Sequence, residues 1–96
     1  MRHRYLVSYD ICDKKRLRTV FKKMNGYGDA VQLSVFSCEL SDKERELMIG
    51  VLDAIIHHDQ DQVMIVDLGP VDGLERTRIK VLGRKDPPPT NDPLVV

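Results

Sequence analysis

The sequence predicts an α+β fold in which two helices cover one face of an antiparallel sheet. Two segments carry apolar residues at intervals of three and four positions, a spacing typical of amphipathic helices. Other segments are short and rich in β-branched, aromatic and aliphatic residues, which favours strands. The segments follow one another in the order β-α-β-β-α-β, with one more short apolar segment after them.

The first strand is predicted at residues 4–9, with Asp10 at its C-terminal end. Asp13 is the candidate N-cap of a helix over residues 14–24, because its carboxylate can accept the unpaired N–H groups of the first turn. Gly26 is the candidate helix stop. The sequence thus brings a carboxylate to the point where a basic helix begins, an arrangement that suits a hard cation beside a phosphate-binding surface.

The middle of the chain supplies the next strands and the second helix. Residues 30–40 form either one long strand or a short strand followed by a longer one, and we favour a break near residues 32–34. Ser41 and Glu44 have the spacing of a capping box, which predicts that the second helix begins there. Apolar residues at helical spacing continue as far as Ile56.

The last part of the chain is predicted to complete the sheet. Residues 62–68 are almost continuously apolar, which predicts a central strand, and residues 78–83 predict an additional short strand. This order is the ferredoxin-like arrangement, in one domain over residues 1–83. Residues 84–96 form a Pro-rich tail. Because the helices leave one sheet face uncovered, we expect a dimer in which sheets pack together, with the last strand available to the partner's sheet edge.

Composition narrows the function classes. The 96 residues carry no net charge, yet residues 1–40 hold eight Lys or Arg against four Asp or Glu, and residues 41–61 hold two against six. The positive charge is concentrated around the first helix, and a local field of this kind attracts an anionic polymer. The two cysteines lack CxxC spacing, and no segment has the length of a membrane span or the pattern of a signal peptide. We therefore expect a cytoplasmic protein without a membrane partner.

Several of these residues together resemble the CRISPR-associated protein 2 family. The resemblance rests on Tyr9-Asp10-Ile11 at the end of the first strand, on Arg16 and Arg18 in the helix, and on Gly28 followed by Val31-Gln32-x-Ser34-Val35-Phe36. It covers about residues 4–83. The chain departs from the family pattern at Ala30, where an arginine is common, and at Ser37, where a glutamate is common.

The resemblance implies a small ferredoxin-like homodimer that acts in CRISPR spacer acquisition. In the family, the aspartate that ends the first strand, here Asp10, faces its twin across the two-fold axis. Some members cleave RNA or double-stranded DNA with a divalent cation, Mg²⁺ in our prediction, between these aspartates. Others are non-catalytic bridges that hold DNA for a partner integrase. The sequence leaves both functions open, and a small-ligand sensor of the same fold is a third, weaker hypothesis.

The candidate catalytic residues are Asp10 and Tyr9. Asp10 is also the candidate metal ligand, since Mg²⁺ prefers oxygen ligands and keeps several waters, so that one carboxylate per subunit is enough. The alternative is a carboxylate that caps a helix or pairs with an arginine. Tyr9 is a candidate for orienting water or phosphate, with packing as its alternative, and Phe36 is assigned to the core or the dimer interface.

The candidate nucleic-acid-binding residues are the cations of the first helix: Lys14, Lys15, Arg16, Arg18, Lys22 and Lys23. Arg16 and Arg18 project about 200° apart on a helix, so they do not address one phosphate from the same face. The alternative is an ordinary solvated helix face. His57 and His58 are interpreted as helix-end residues rather than metal ligands, and Cys12 as a small buried residue.

Overall fold

The structure is a computed structural model, and it describes residues 1–71 and 79–84. Its elements, in chain order, are β1 (His3–Asp10), α1 (Lys14–Met24), β2 (Gly28–Gln32), β3 (Val35–Leu40), α2 (Asp42–Ile55) and β4 (Gln62–Pro70). The predicted order of strands and helices is confirmed. The predicted break between the second and third strands is confirmed as well, because a turn at residues 33–34 separates β2 from β3.

The sheet has the strand order β2-β3-β1-β4, and every pairing is antiparallel. The prediction that residues 62–68 form a central strand is wrong for the sheet that the described residues form: β4 lies at its edge, and β1 lies between β3 and β4. The apolar run of β4 has another physical reason. Val63 and Ile65 pack on the core, while the alternate residues Met64 and Val66 lie on the opposite face, so both faces of this edge strand are apolar.

The additional strand predicted at residues 78–83 does not form within the described residues 79–84. A strand needs the N–H and C=O groups of a neighbour, and no described strand pairs with this segment. Val81 and Leu82 are 41% and 83% exposed. Arg78 and the tail from residue 85 onward lie outside the described residues. Pairing of this segment with a second copy stays a prediction.

Both helices cover one face of the sheet and form the core with it. The Phe36 ring lies edge-on to Phe21, with ring centroids 5.5 Å apart, and is stacked on Tyr9 at 6.2 Å. From α2, the Arg45 guanidinium lies 5.8 Å from the centroid of the Tyr5 ring. Phe36 is fully buried, so of its two predicted roles it has that of a core residue. The most deeply buried side chains are Tyr5, Val7, Val20, Phe21, Met24, Phe36, Cys38 and Met48.

The face of the sheet away from the helices, which we call the open face, carries two rows of paired residues. Leu6 of β1 lies opposite Val66 and Ser37, and Ser8 lies opposite Met64 and Val35. Directly opposed residues share a face. The row through Leu6 is largely apolar, and Met64 is 54% exposed. The other residues of the two rows are partly exposed.

The predicted helix starts are confirmed. Asp13 is the N-cap of α1 and accepts a hydrogen bond of 2.9 Å from the backbone N–H of Arg16. Ser41 and Glu44 form the predicted capping box at the start of α2. Within the described part of the chain, neither helix has the length and hydrophobicity that crossing a bilayer requires.

Candidate functional site

Asp10 is the last residue of β1, and its side chain is exposed. The burial of β1 alternates: Tyr5, Val7 and Tyr9 are buried on the helix side. Asp10 therefore lies on the open face, two positions after Ser8. Within residues 1–71 and 79–84, its carboxylate has no hydrogen bond and no ion pair. The structure thus excludes, among these residues, the alternative of an Asp10 that caps a helix or pairs with an arginine.

The connection from Asp10 to α1 is short and held at several points. Ile11 is 8% exposed and packs into the core, and the Cys12 thiol donates to the Gln60 carbonyl oxygen at 2.9 Å. The prediction of a buried Cys12 is wrong: the residue is exposed, because its neighbour Ile11 takes the inward position. The buried cysteine is Cys38, whose pKa is raised by burial to about 11.

The strongest polar cluster near this connection is centred on Asp61, whose side chain has no exposed area. Oδ2 accepts hydrogen bonds from Arg16 Nε at 2.7 Å and from the His57 N–H at 2.8 Å. Oδ1 accepts from the Cys12 N–H at 2.9 Å and from Arg16 Nη2 at 3.2 Å. The Arg16 hydrogen bond is the main reason why the pKa of Asp61 lies well below its ordinary value of 3.8, since burial alone raises it.

Sequence reasoning missed this cluster. In the sequence, Asp61 is one of two aspartates in the short polar segment that follows the second helix. Its partner Arg16 lies 45 positions away in the chain. Arg16 itself was predicted to bind phosphate, which stays a prediction. The structure gives its guanidinium a partner inside the protein.

Tyr9 lies on the opposite side of the sheet from Asp10. It is 4% exposed, and its hydroxyl donates to the Leu33 carbonyl oxygen at 2.9 Å. Burial raises the pKa of the Tyr9 hydroxyl far above its ordinary value, so the hydroxyl is protonated at neutral pH. The structure thus gives Tyr9 a packing role and a bond to the β2–β3 turn. A catalytic role for Tyr9 stays a prediction.

The basic residues of α1 form one outward surface. Val20, Phe21 and Met24 face the core, and the cations lie around the rest of the helix. Lys14 and Lys15 open the helix close to Asp10. The remaining members of this surface are Arg18, Lys22 and Lys23. Because α1 covers the helix side of the sheet and Asp10 is on the open face, a nucleic acid that contacts both must pass around the end of β1.

A metal at Asp10 would need ligands beyond the described residues of this chain. No group of three or more His, Cys, Asp or Glu side chains suited to a metal occurs among the described residues. His57 and His58 accordingly belong to no such group there. A lone exposed carboxylate does fit Mg²⁺ when water and a second carboxylate complete the oxygen shell. The donor set of the described residues therefore fits a site shared between two copies.

The fold and this carboxylate define a class: a small ferredoxin-like α+β protein with an exposed acid at the end of an internal strand. The sequence model of the family described as CRISPR associated protein Cas2 matches residues 1–72. The chain belongs to the CRISPR-associated Cas2 family, and the predicted resemblance is confirmed.

Curated relatives and solved structures agree with this assignment. A protein of Rhodospirillum rubrum named CRISPR-associated endoribonuclease Cas2 1 is 48% identical over 73 residues, which are 76% of this chain and 72% of the relative. The CRISPR-associated endoribonuclease Cas2 of Geobacter sulfurreducens is 38% identical over 95 residues, 99% and 94% of the two chains. The crystal structure of Streptococcus pyogenes Cas2 is 30% identical with a TM-score of 0.71, over 83% of this chain and 99% of that one. A hypothetical protein from Thermus thermophilus has a TM-score of 0.74 at 31% identity, over 93% of this chain and 100% of that one.

Proposed function

We propose that the protein is a homodimeric, Mg²⁺-dependent endonuclease of CRISPR adaptation that hydrolyses phosphodiester bonds in RNA or double-stranded DNA at paired Asp10 residues. The observation that carries the proposal is the position of Asp10: exposed, without a partner among the described residues, and on the face of the sheet that the helices leave open. The names of the curated relatives, which are called endoribonucleases, support the reaction class.

The open face supports the dimer. A chain of this size buries only about 60–65% of the surface of its unfolded form, so covering further apolar surface is a substantial gain. The row through Leu6 and Val66 offers such surface, and Met64 is more than half exposed. When two copies pack open face to open face about a two-fold axis, residues close to the axis approach their twins. We place Asp10 among the residues close to the axis.

Asp10 provides the acidic chemistry of the proposed site. One carboxylate from each copy would hold the cation, which would take its remaining ligands from water and from phosphate oxygens of the substrate. Bound there, the metal supplies an activated water and neutralises charge that develops on the phosphate.

The basic surface of α1 is proposed to hold the nucleic acid. Lysine and arginine side chains attract the phosphate backbone without reading its sequence, and binding of this kind weakens steeply as salt is added. Lys14, Lys15, Lys22 and Lys23 are exposed and are thus able to reach phosphates. Arg18 belongs to the same surface. Arg16 was predicted to bind nucleic acid with these residues, but its guanidinium is paired with Asp61.

A nuclease assay tests the reaction. Wild type, Asp10→Asn and Asp13→Asn are incubated with labelled RNA and with duplex DNA, in Mg²⁺ and in chelator. Asp13→Asn is the matched control, since it also removes a carboxylate near the site while asparagine remains a good N-cap. We expect cleavage to be lost in Asp10→Asn and in chelator and kept in Asp13→Asn. Cleavage that survives in Asp10→Asn would refute the assignment of the chemistry to Asp10.

A catalytically idle scaffold that positions DNA for a partner integrase is the second candidate. It is favoured by the fact that each chain offers a lone acid, with no metal-binding group among its described residues. The same assay separates the two, because a scaffold binds duplex DNA with a steep salt dependence and cuts nothing. Neutralising the four lysines should flatten that dependence in either case. The cytoplasmic location also stays a prediction.

A further inference from the structure

Asp61 stands out because, among the described residues, it is the charged side chain that the fold buries. Its two oxygens accept four hydrogen bonds, from two backbone N–H groups and from two nitrogens of one guanidinium. A buried carboxylate needs such compensation, since an unpaired one is strongly unfavourable. The number of donors shows that the surroundings of Asp61 are built around its ionised form.

The four donors come from different parts of the chain. Cys12 lies in the connection between β1 and α1, Arg16 in the first turns of α1, and His57 in the turn after α2. The residue next to Asp61 is Gln62, which pairs with Asp10 in the β1–β4 ladder. The carboxylate therefore ties together the segments that meet at the end of β1, and Asp10 is the exposed acid at that junction.

The same contacts constrain Arg16. Its Nε and Nη2 donate to Asp61, and Nη2 also lies 3.2 Å from Gln60 Oε1. The side chain is only 25% exposed. Moving the guanidinium to a phosphate would leave the Asp61 carboxylate buried with backbone donors alone. The geometry thus favours an Arg16 that acts inside the protein over one that binds nucleic acid directly.

We infer that Asp61 and Arg16 are positioning residues, which fix the Cys12 connection so that the Asp10 carboxylate projects at a set angle from the open face. This inference rests on the proposed function for its catalytic consequence. Its structural content, the anchoring of residues 10–13, is independent of that function. Arg16 is accordingly removed from the phosphate-binding set, while the lysines of α1 remain in it.

The first test compares Arg16→Gln with Lys15→Gln, a matched loss of one positive charge on the same helix. Binding of a labelled duplex DNA is measured across a range of salt concentrations. We expect Lys15→Gln to reduce the salt slope by about 0.9, the value for one lost phosphate contact, and Arg16→Gln to leave the slope unchanged. An equal reduction in Arg16→Gln would overturn the inference.

The second test measures the effect of the same residues on kcat and KM. We expect Arg16→Gln and Asp61→Asn each to lower kcat about 10- to 100-fold with KM within about twofold of wild type, a range usual for residues that orient a site. Because both act through one contact, the double variant should be no slower than the slower single variant. Arg16→Lys keeps the charge without the forked donors and should not restore kcat. Normal kcat in folded Asp61→Asn would overturn the inference.

Amide hydrogen exchange separates failure of this inference from failure of the proposed function. If wild type cleaves nothing, the proposed function is wrong, and exchange still decides the anchoring. We expect the Cys12 and His57 amides to exchange at least about tenfold faster in Arg16→Gln than in wild type, with core amides unchanged. Arg16→Gln keeps the Asp61 carboxylate and its backbone donors, so this variant still tests the anchoring if Asp61→Asn does not fold. Unchanged protection of the Cys12 amide would overturn the inference.

Discussion

Replacing Tyr9 by phenylalanine separates a structural tyrosine from a catalytic one. The change removes a single hydroxyl, which donates to the Leu33 carbonyl oxygen at 2.9 Å, and leaves the buried ring in place against Phe36. The backbone N–H of Tyr9 also donates to the Ser34 carbonyl oxygen at 3.0 Å. Tyr9 thus holds the turn between β2 and β3 through two bonds, of which the substitution removes one.

The magnitude follows from this contact. An intramolecular hydrogen bond contributes about 0.5–1.5 kcal/mol net, and more is lost when a buried partner remains unpaired. Leu33 is 46% exposed, so water can reach its carbonyl once the hydroxyl is gone. We therefore expect Tyr9→Phe to lower the free energy of unfolding by about 1 kcal/mol, equivalent to a fall of about 4–8 °C in Tm for a chain of this length. Tyr9→Ala, which also removes the ring, should cost about 3–5 kcal/mol.

The assay combines urea unfolding with the nuclease measurement, both at one fixed protein concentration because a dimer's stability depends on it. Tyr5→Phe is the matched control: Tyr5 shares the buried face of β1, and its hydroxyl has no hydrogen bond within the described residues. We expect Tyr9→Phe to be less stable than Tyr5→Phe with cleavage close to wild type. Unchanged stability together with a cleavage rate about 100-fold lower would refute this reasoning and restore Tyr9 as a catalytic group.

Three further predictions concern a glycine pair, the thiols and pH. Gly28→Ala would place a Cβ 2.4 Å from a carbonyl oxygen of β3, so it should lower the free energy of unfolding in urea by about 1–3 kcal/mol. Gly50→Ala, at an exposed position of α2, should raise it by about 0.5–1 kcal/mol. Equal effects of the two substitutions would contradict the close packing of β2 on β3. A thiol reagent should label Cys12 in the native protein and Cys38 only after unfolding, and native labelling of Cys38 would contradict its burial. Because the pKa of Asp61 is lowered by folding, its stabilisation is complete above the ordinary value of 3.8 and is lost as pH falls through the folded pKa. The Tm difference between wild type and Asp61→Asn should therefore be constant near neutral pH and narrow below about pH 4, and a difference independent of pH would contradict the ion pair.

Features set by neighbouring residues were predictable from the sequence. The Asp13 cap and the Ser41 capping box each join residues three positions apart, and both form as predicted. The position of Asp10 at the end of a strand was predictable for the same reason, since a period of two fixes both the strand and its faces. Local rules of this kind need no knowledge of the rest of the fold.

Features set by tertiary contact were not predictable in this way. The apolar run of β4 indicated burial on both sides, but it did not distinguish a central strand from an edge strand whose second face is also apolar. The pair formed by Arg16 and Asp61 joins residues 45 positions apart, and charge patterning alone predicted that Arg16 binds nucleic acid together with the other cations of the helix. One sequence signal could have predicted the pair: Asp61 directly precedes the apolar strand β4. An acid at the point where the main chain enters the core needs a partner, because an unpaired buried charge is strongly unfavourable.

The same edge strand connects the fold to the proposed function. Because β1 pairs with β3 on one side and with β4 on the other, β1 is an internal strand. Asp10, at the C-terminal end of β1, lies on the open face next to Gln62 and two positions after Ser8. A second copy that covers Leu6, Val66 and Met64 would lie on the same face of the sheet as Asp10. In the proposed dimer, the contact that covers the apolar residues of the sheet also brings in the second carboxylate. Cleavage is then a property of the proposed dimer and not of the single chain.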